Sequence, residues 1–253
     1  MCKRTNMKIL ILSTAGISSR FNTSLKSKKP VLKSIFYKDT PKHSLLGRFL
    51  EFHKYFDKII IVGGFLFNEL EATLKYFNTN NIDLIYNDKY NSLGSGYSLY
   101  LGLKKTLEYN FSEIIFAEGD LFVDKDNFLK IIKSPKDTIS INNHDIYANK
   151  SVSLYINTKN HIKYIYDKSH NSLEILEPFT AIFNSAQIWK FSNTTKIRNI
   201  INKCQESIFK DTNLEFIQKY FSDVDINNCA IIKFKKWINC NTIDDFEKIN
   251  FKG

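Results

Sequence analysis

Two hydrophobic patterns divide the chain. In the first half, short unbroken apolar runs are separated by stretches in which apolar residues recur every three or four positions. Ile9-Leu10-Ile11-Leu12, Ile59-Ile60-Ile61-Val62 and the segments 82–86 and 114–117 are of the first kind. Runs of this length predict strands buried on both faces. Between them, Leu45, Phe49, Phe52 and Phe56 form a helical stripe with Leu46 and Leu50 beside it. Phe67, Leu70, Leu74 and Phe77 form another, opened by Asn68 and Glu71 at capping-box spacing, and residues 97–107 give a third. Strands alternating with helices in this way predict a mainly parallel sheet covered on both sides, an α/β fold.

After Asp120 the period becomes two. Segments 138–141, 152–156, 162–166 and 179–183 alternate apolar and polar residues, which predicts antiparallel strands with one wet face. Helices are expected over 197–208 and 213–221, a strand over 230–234 and a last helix over 244–249. No repeat, low-complexity tract or linker interrupts this order. One domain over 1–253 is expected, with halves at about 1–135 and 136–253 and the antiparallel part elaborating one end of the sheet.

Charge changes the picture little. Thirty-six Lys and Arg stand against 26 Asp and Glu, a formal net charge of +10. The lysines are spread along the chain, without an arginine-rich block, which argues against a nucleic-acid partner, while a basic surface suits a small polyphosphate. Cys2, Cys204, Cys229 and Cys240 show no CxxC spacing and no two histidines sit at ligand spacing, so neither a zinc site nor a disulfide framework is expected. The apolar run after Met1-Cys2-Lys3-Arg4 is too short for a signal peptide, and no stretch approaches the ~18 apolar residues of a membrane span. A soluble, cytoplasmic protein is expected.

Five segments could carry chemistry. The first strand runs into Ser13-Thr14-Ala15-Gly16-Ile17-Ser18-Ser19-Arg20. Small residues there let a ligand approach the backbone, and Arg20 offers planar donors suited to phosphate oxygens. The strand at 114–117 ends in Glu118-Gly119-Asp120. Period two puts both carboxylates on one side, outside the carboxyl end of a strand, where they can bind magnesium. Lys29 precedes Pro30-Val31-Leu32 in a stretch with six lysines between residues 26 and 42; a point cation for phosphate and a solvated basic loop are both open readings. Asn87, Gly94 and Ser95 lie between the third strand and a helix, as an N-cap turn or as amide and backbone groups for a flat polar ligand. Finally, Thr242 can cap a helix whose first turn carries Asp244 and Asp245, just after Asn239 and Asn241.

In this order the segments resemble the nucleotidyltransferase superfamily, over nearly the whole chain. Its pattern is a strand, L-A-A-G-x-G-x-R, and a lysine followed by two leucine-like residues. Here Ser18 replaces the second glycine. Lys29 has the pattern's spacing from Arg20 and to Ile59, and Lys42, in Pro41-Lys42, is the alternative. Segment 87–98 and Glu118-Gly119-Asp120 are similar to the small cytidylyltransferases, including those acting on choline phosphate and, in capsular phosphoramidate biosynthesis, on L-glutamine phosphate. The resemblance implies a Rossmann-like three-layer α/β/α sandwich and the reaction CTP + L-glutamine phosphate → CDP-L-glutamine + pyrophosphate. It implies Arg20 and Lys29 on the triphosphate, and Asp120 and Glu118 on Mg2+, with Asn239 and Asn241 where many members carry a second metal-binding aspartate. It further implies Leu12, Ser13, Ala15, Gly16, Asn87, Gly94 and Ser95 around cytidine. Lys168 and Glu177 would then meet the carboxylate and ammonium of an amino-acid acceptor. Choline-phosphate or sugar-1-phosphate transfer, with a tyrosine-rich cage from Tyr155, Tyr164, Tyr166, Phe179 and Trp189 for choline, is the alternative enzyme, and a regulatory nucleotide-binding subunit the alternative outside catalysis.

Overall fold

The structure, a computed structural model, describes residues 6–148, 151–165, 172–203 and 209–251. Strands β1 (Met7–Ser13), β2 (Lys58–Gly63), β3 (Ile82–Tyr86) and β4 (Phe111–Glu118) lie parallel, with β1 between β2 and β4 and β3 outside β2. Beyond β4 the sheet continues with β9 (Phe179–Phe191), antiparallel to it, then β6 (Asp137–Asn142) and β10 (Cys229–Lys233). A hairpin of β7 (Ser153–Asn157) and β8 (Ile162–Ile165) pairs with the first part of β9. A separate ribbon joins β5 (Leu121–Val123) to β11 (Trp237–Asn239).

Strand alternation divides the core into two. Ile9, Ile11, Ile114 and Phe116 face Leu99 and Leu103 of α4 (Ser95–Thr106), and on the same side lie α6 (Thr194–Lys203) and α7 (Leu214–Phe221). Leu10, Leu12, Ile115 and Ala117 face the other way, onto α2 (Leu45–Leu50), α3 (Phe67–Lys75) and α5 (Lys125–Lys133). This is the three-layer α/β/α arrangement, with an antiparallel extension from the second half. A third cluster joins α1 (Ser19–Leu25) to α8 (Ile243–Glu247) through the edge-to-face rings of Phe21, Phe36 and Phe246. Each fully buried Ile, Leu or Phe contributes about 1.5–3 kcal/mol, so the two sheet faces supply most of the stability. No helix among the described residues is long and apolar enough to cross a membrane.

Several local expectations are corrected. Strand β6 has no wet face, because β9 and β10 flank it and helices cover it; all but its first residue are buried. Strand β9 runs on to Phe191 and buries its last eight residues. Helix α2 stops at Leu50, and a turn delivers Phe52 and Phe56 to the core. The capping box at Asn68 and Glu71 does not form: α3 starts at Phe67, behind Leu66 in a left-handed conformation (φ 51°). Thr242 does cap α8, in a reciprocal box with Asp245. The expected strand end at Tyr166 and helix end at 204–208 fall outside the described residues.

Candidate active site

The carboxyl ends of β1 and β4 open into a cleft of about 660 Å³, within the size range of small-ligand sites. Its walls include Ser13 to Gly16, Ser18 to Arg20, Lys33, Asn87, Tyr90, Gly94, Ser95, Glu118 to Asp120, Gln187, Asn239 and Asn241. The β1–α1 turn and the β4 end touch directly. Gly119 donates its N–H to the Ser13 carbonyl at 2.7 Å, and a Cβ at Gly119 would lie 2.4 Å from Thr14 Cγ2. Only glycine permits this approach, which brings Asp120 beside the turn.

In the turn, Thr14 donates its N–H to the Val62 carbonyl. The N–H groups of Ala15, Gly16, Ile17 and Ser18 take no partner among the described residues. Successive free N–H groups of this kind suit an anion. Ser18, which stands where the superfamily pattern has glycine, adopts φ 55°. Its hydroxyl accepts the Lys33 N–H at 3.2 Å. Asn22 holds both backbone groups of Val31, accepting its N–H at 2.7 Å and donating to its carbonyl at 3.0 Å. These contacts fix the segment that presents Lys33, whose ammonium donates to Asp120 Oδ2 at 2.6 Å. The pair is largely buried, with side chains 16 % and 21 % exposed.

Among the described residues, Lys33 is the lysine in the cleft. Lys29 and Lys42 are exposed and lie outside its walls. All three belong to the same basic stretch; spacing favours Lys29 over Lys42, and it is Lys33 that lines the cleft.

Glu118 accepts a hydrogen bond from Asn213 Nδ2. Burial, and then the neighbouring Asp120 carboxylate, push its carboxyl up to about 7, although Asn213 and Lys33 pull the other way. Asn213 is buried at the start of α7, on a segment that crosses the Gly94 turn. Gly94 donates to the Lys210 carbonyl at 2.6 Å and Gly96 to the Asp211 carbonyl at 3.3 Å, while Ser95 Oγ accepts the Asn213 N–H. Gly94 and Ser95 thus border the cleft with these groups engaged by the chain itself. The Asn87 amide is also used internally, by Ser98 Oγ and the Lys89 N–H.

Besides the Ser34 hydroxyl, two buried oxygens at the cleft have no hydrogen-bond partner: Asp120 Oδ1 and Asn239 Oδ1. They lie on neighbouring backbone, since Asn239 pairs with Leu121 and Cys240 donates to the Asp120 carbonyl at 2.9 Å. Buried polar atoms are normally satisfied, and unpaired carboxylate and amide oxygens are hard donors suited to magnesium. Asn241 also borders the cleft. Among the described residues, no three His, Cys, Asp or Glu side chains gather, so any such site is completed by amides and by ligand oxygens.

Of the two expected acceptor residues, the one described lies elsewhere. Glu177 is exposed outside the cleft, accepting from the Tyr155 hydroxyl at 2.8 Å and from Asn157 Nδ2 at 3.1 Å. Lys168 lies outside the described residues. The described aromatic residues of the expected choline cage do not line the cleft either. Trp189 and Tyr164 are buried and bonded to each other, while Tyr155 and Phe179 pair on an outer surface; Tyr166 lies outside the described residues.

Residues 29–252 match the family described as Domain of unknown function (DUF6564). The chain belongs to DUF6564. No curated protein matches it. Among solved structures, this DUF6564 chain is similar to the CTP:phosphocholine cytidylyltransferase LicC from Streptococcus pneumoniae, at 14% identity and TM-score 0.62, with 96% of this chain and 97% of that one covered. It is similar to the inositol-1-phosphate CTP transferase from T. maritima, at 16% identity and TM-score 0.64, with 98% and 93% covered. HddC from Yersinia pseudotuberculosis, complexed with GMP-PN, gives 17% identity, TM-score 0.60 and coverage of 96% and 97%. These likenesses establish for the DUF6564 chain the nucleotidyltransferase fold.

Proposed function

We propose that this DUF6564 protein is a magnesium-dependent cytidylyltransferase, joining CTP to L-glutamine phosphate with release of pyrophosphate, in the manner of the CTP:phosphoglutamine cytidylyltransferases of capsular phosphoramidate biosynthesis. The observation that carries the reading is the convergence of a free N–H turn, Arg20, Lys33, Asp120 and Glu118 on one cleft. Two of the solved neighbours are named as CTP enzymes, which supports cytidine as the base.

The acceptor phosphate attacks the α-phosphorus of CTP in line, and pyrophosphate leaves. Its second pKa near ~6 leaves it largely ionised at neutral pH, so no general base is required. Catalysis then consists of positioning and charge neutralisation. Turn residues 15–18 receive phosphate oxygens, and Arg20 and Lys33 balance charge on the departing pyrophosphate. Asp120, Asn239 and Glu118 are the residues that would hold magnesium, which would supply further charge neutralisation when bound. Tyr90, on the loop that follows β3, lines the cleft and supplies an aromatic ring for the base. The absence of an aromatic cage among the described cleft residues favours a hydrogen-bonding acceptor over choline phosphate.

The test is pyrophosphate release from CTP and magnesium with L-glutamine phosphate, choline phosphate or a sugar 1-phosphate supplied singly. Release with L-glutamine phosphate alone is expected. Efficient use of choline phosphate in its place would reverse the acceptor assignment and keep the cytidylyl transfer.

A further inference from the structure

One residue of the cleft is held in an unfavourable backbone conformation by the side chains around it. Gln187 has φ 59°, a region that costs a non-glycine residue of its kind free energy and persists only where the surroundings enforce it. It lies in a bulge of β9: β6 pairs Ile139 with Trp189, but two residues later Ile141 pairs with Ser185. Extra residues in a strand re-aim a side chain.

Nearly every turn of this bulge is gripped. The Ser140 hydroxyl accepts the Ile188 N–H at 3.0 Å and donates to the Ile188 carbonyl at 2.7 Å. Ser185 Oγ accepts the Gln187 N–H at 3.1 Å. Trp237 Nε1 donates to the Ala186 carbonyl at 2.8 Å, and Asn142 Nδ2 to the Ser185 carbonyl at 2.9 Å. Ser140 and Ser185 are fully buried. Gln187 itself is 5 % exposed and forms part of the cleft wall beside Val152. Its side-chain amide has no partner among the described residues, and it is not among the atoms sealed from solvent. A buried amide with both its donor and its acceptor left for the cleft awaits a ligand that can use them.

We propose that Gln187 is the acceptor-reading residue of this site, an inference that rests on the transferase reading above. Its amide donates to a carboxylate or carbonyl oxygen of the acceptor and accepts from an N–H or O–H. A quaternary ammonium offers neither partner, so the residue selects against choline phosphate by leaving its own amide unpaired when that acceptor binds.

Gln187→Met keeps the length of the side chain and removes both hydrogen-bonding functions. Gln187→Asn keeps the amide, tolerates the left-handed conformation and withdraws the amide by one methylene. Both should lower kcat/KM for L-glutamine phosphate by about 10- to 100-fold. The KM for CTP should be unchanged, and kcat/KM for choline phosphate should hold or rise. Undiminished use of L-glutamine phosphate by both variants overturns the inference and leaves the enzyme reading standing. So does an equal loss for every acceptor together with a raised KM for CTP, the mark of a merely structural residue. Preference of the wild type for choline phosphate also overturns it. No pyrophosphate release by the wild type with any acceptor removes the enzyme reading, and this inference with it.

Discussion

At the residue scale, the cleft depends on a few side chains whose partners are unusual. Lys33 bonds Asp120 at 2.6 Å, while the second Asp120 oxygen is buried without a partner. Replacing Lys33 by Ala should cost about a hundredfold in kcat/KM for CTP, the scale of one strong electrostatic contact to a transition state. Lys29→Ala and Lys42→Ala should cost little, and steady-state kinetics of the three variants checks the assignment. A large loss for Lys29→Ala alone would return the role to it. Glu118 gives a pH signature. Its carboxyl rises from the ordinary 4.5 to about 7 in the folded protein. The folded state therefore holds this proton more tightly than the unfolded state does. Its stabilising contribution is present below about pH 4.5, falls as pH rises from there to about 7, and is gone above. Without magnesium, Glu118→Gln should be more stable than the wild type at pH 8, by on the order of 1–3 kcal/mol, and nearly equal to it at pH 4.5. Denaturant melts at the two pH values measure this, and an unchanged difference between them would contradict the origin given for the shift.

Elements decide how those residues meet. Gly94 has an ordinary φ of −78°, so its conformation does not require glycine. Space does: a Cβ there would lie 1.6 Å from the Asp211 carbonyl oxygen. Gly94→Ala must displace the segment that brings Asn213 to Glu118. A loss of about 2–4 kcal/mol is expected from such overpacking against backbone, with weaker nucleotide turnover, and thermal melts with kinetics read both. A variant as stable as the wild type would show that the segment moves freely. The sequence left Gly94 open between an N-cap turn and a ligand contact, and did not foresee what fills the space beside its Cα. The occupant is the chain itself, more than a hundred residues further on, and no local pattern carries that information. The same limit explains Lys33. Its neighbours Lys28 and Lys29 are chemically identical to it, and the choice is made by Asn22 gripping Val31 and by Ser18 holding the Lys33 N–H.

On the scale of the whole molecule, the parallel half was legible because buried strands and amphipathic helices leave strong periodic signals. β1 to β4 fall where the apolar runs stand, and α4 and α7 where the helical patterns do. The second half was less so. In β9 the alternation stops being visible after Phe183, since both faces of its later residues are buried, and the bulge at Gln187 is set by side chains from β6 and β11. The cleft forms where the halves meet: β1 and β4 supply the turn and the carboxylates, and β11 supplies Asn239. The central claim is that this junction transfers a cytidylyl group. It is tested most directly by mixing CTP, magnesium and L-glutamine phosphate with the wild type or with Asp120→Asn, and quantifying pyrophosphate together with the CDP-linked product. Equimolar formation of both by the wild type, and a rate at least about a hundredfold lower for a folded Asp120→Asn, are the predicted result. Near-normal turnover by Asp120→Asn, or no product from the wild type with any phosphorylated acceptor, would contradict it.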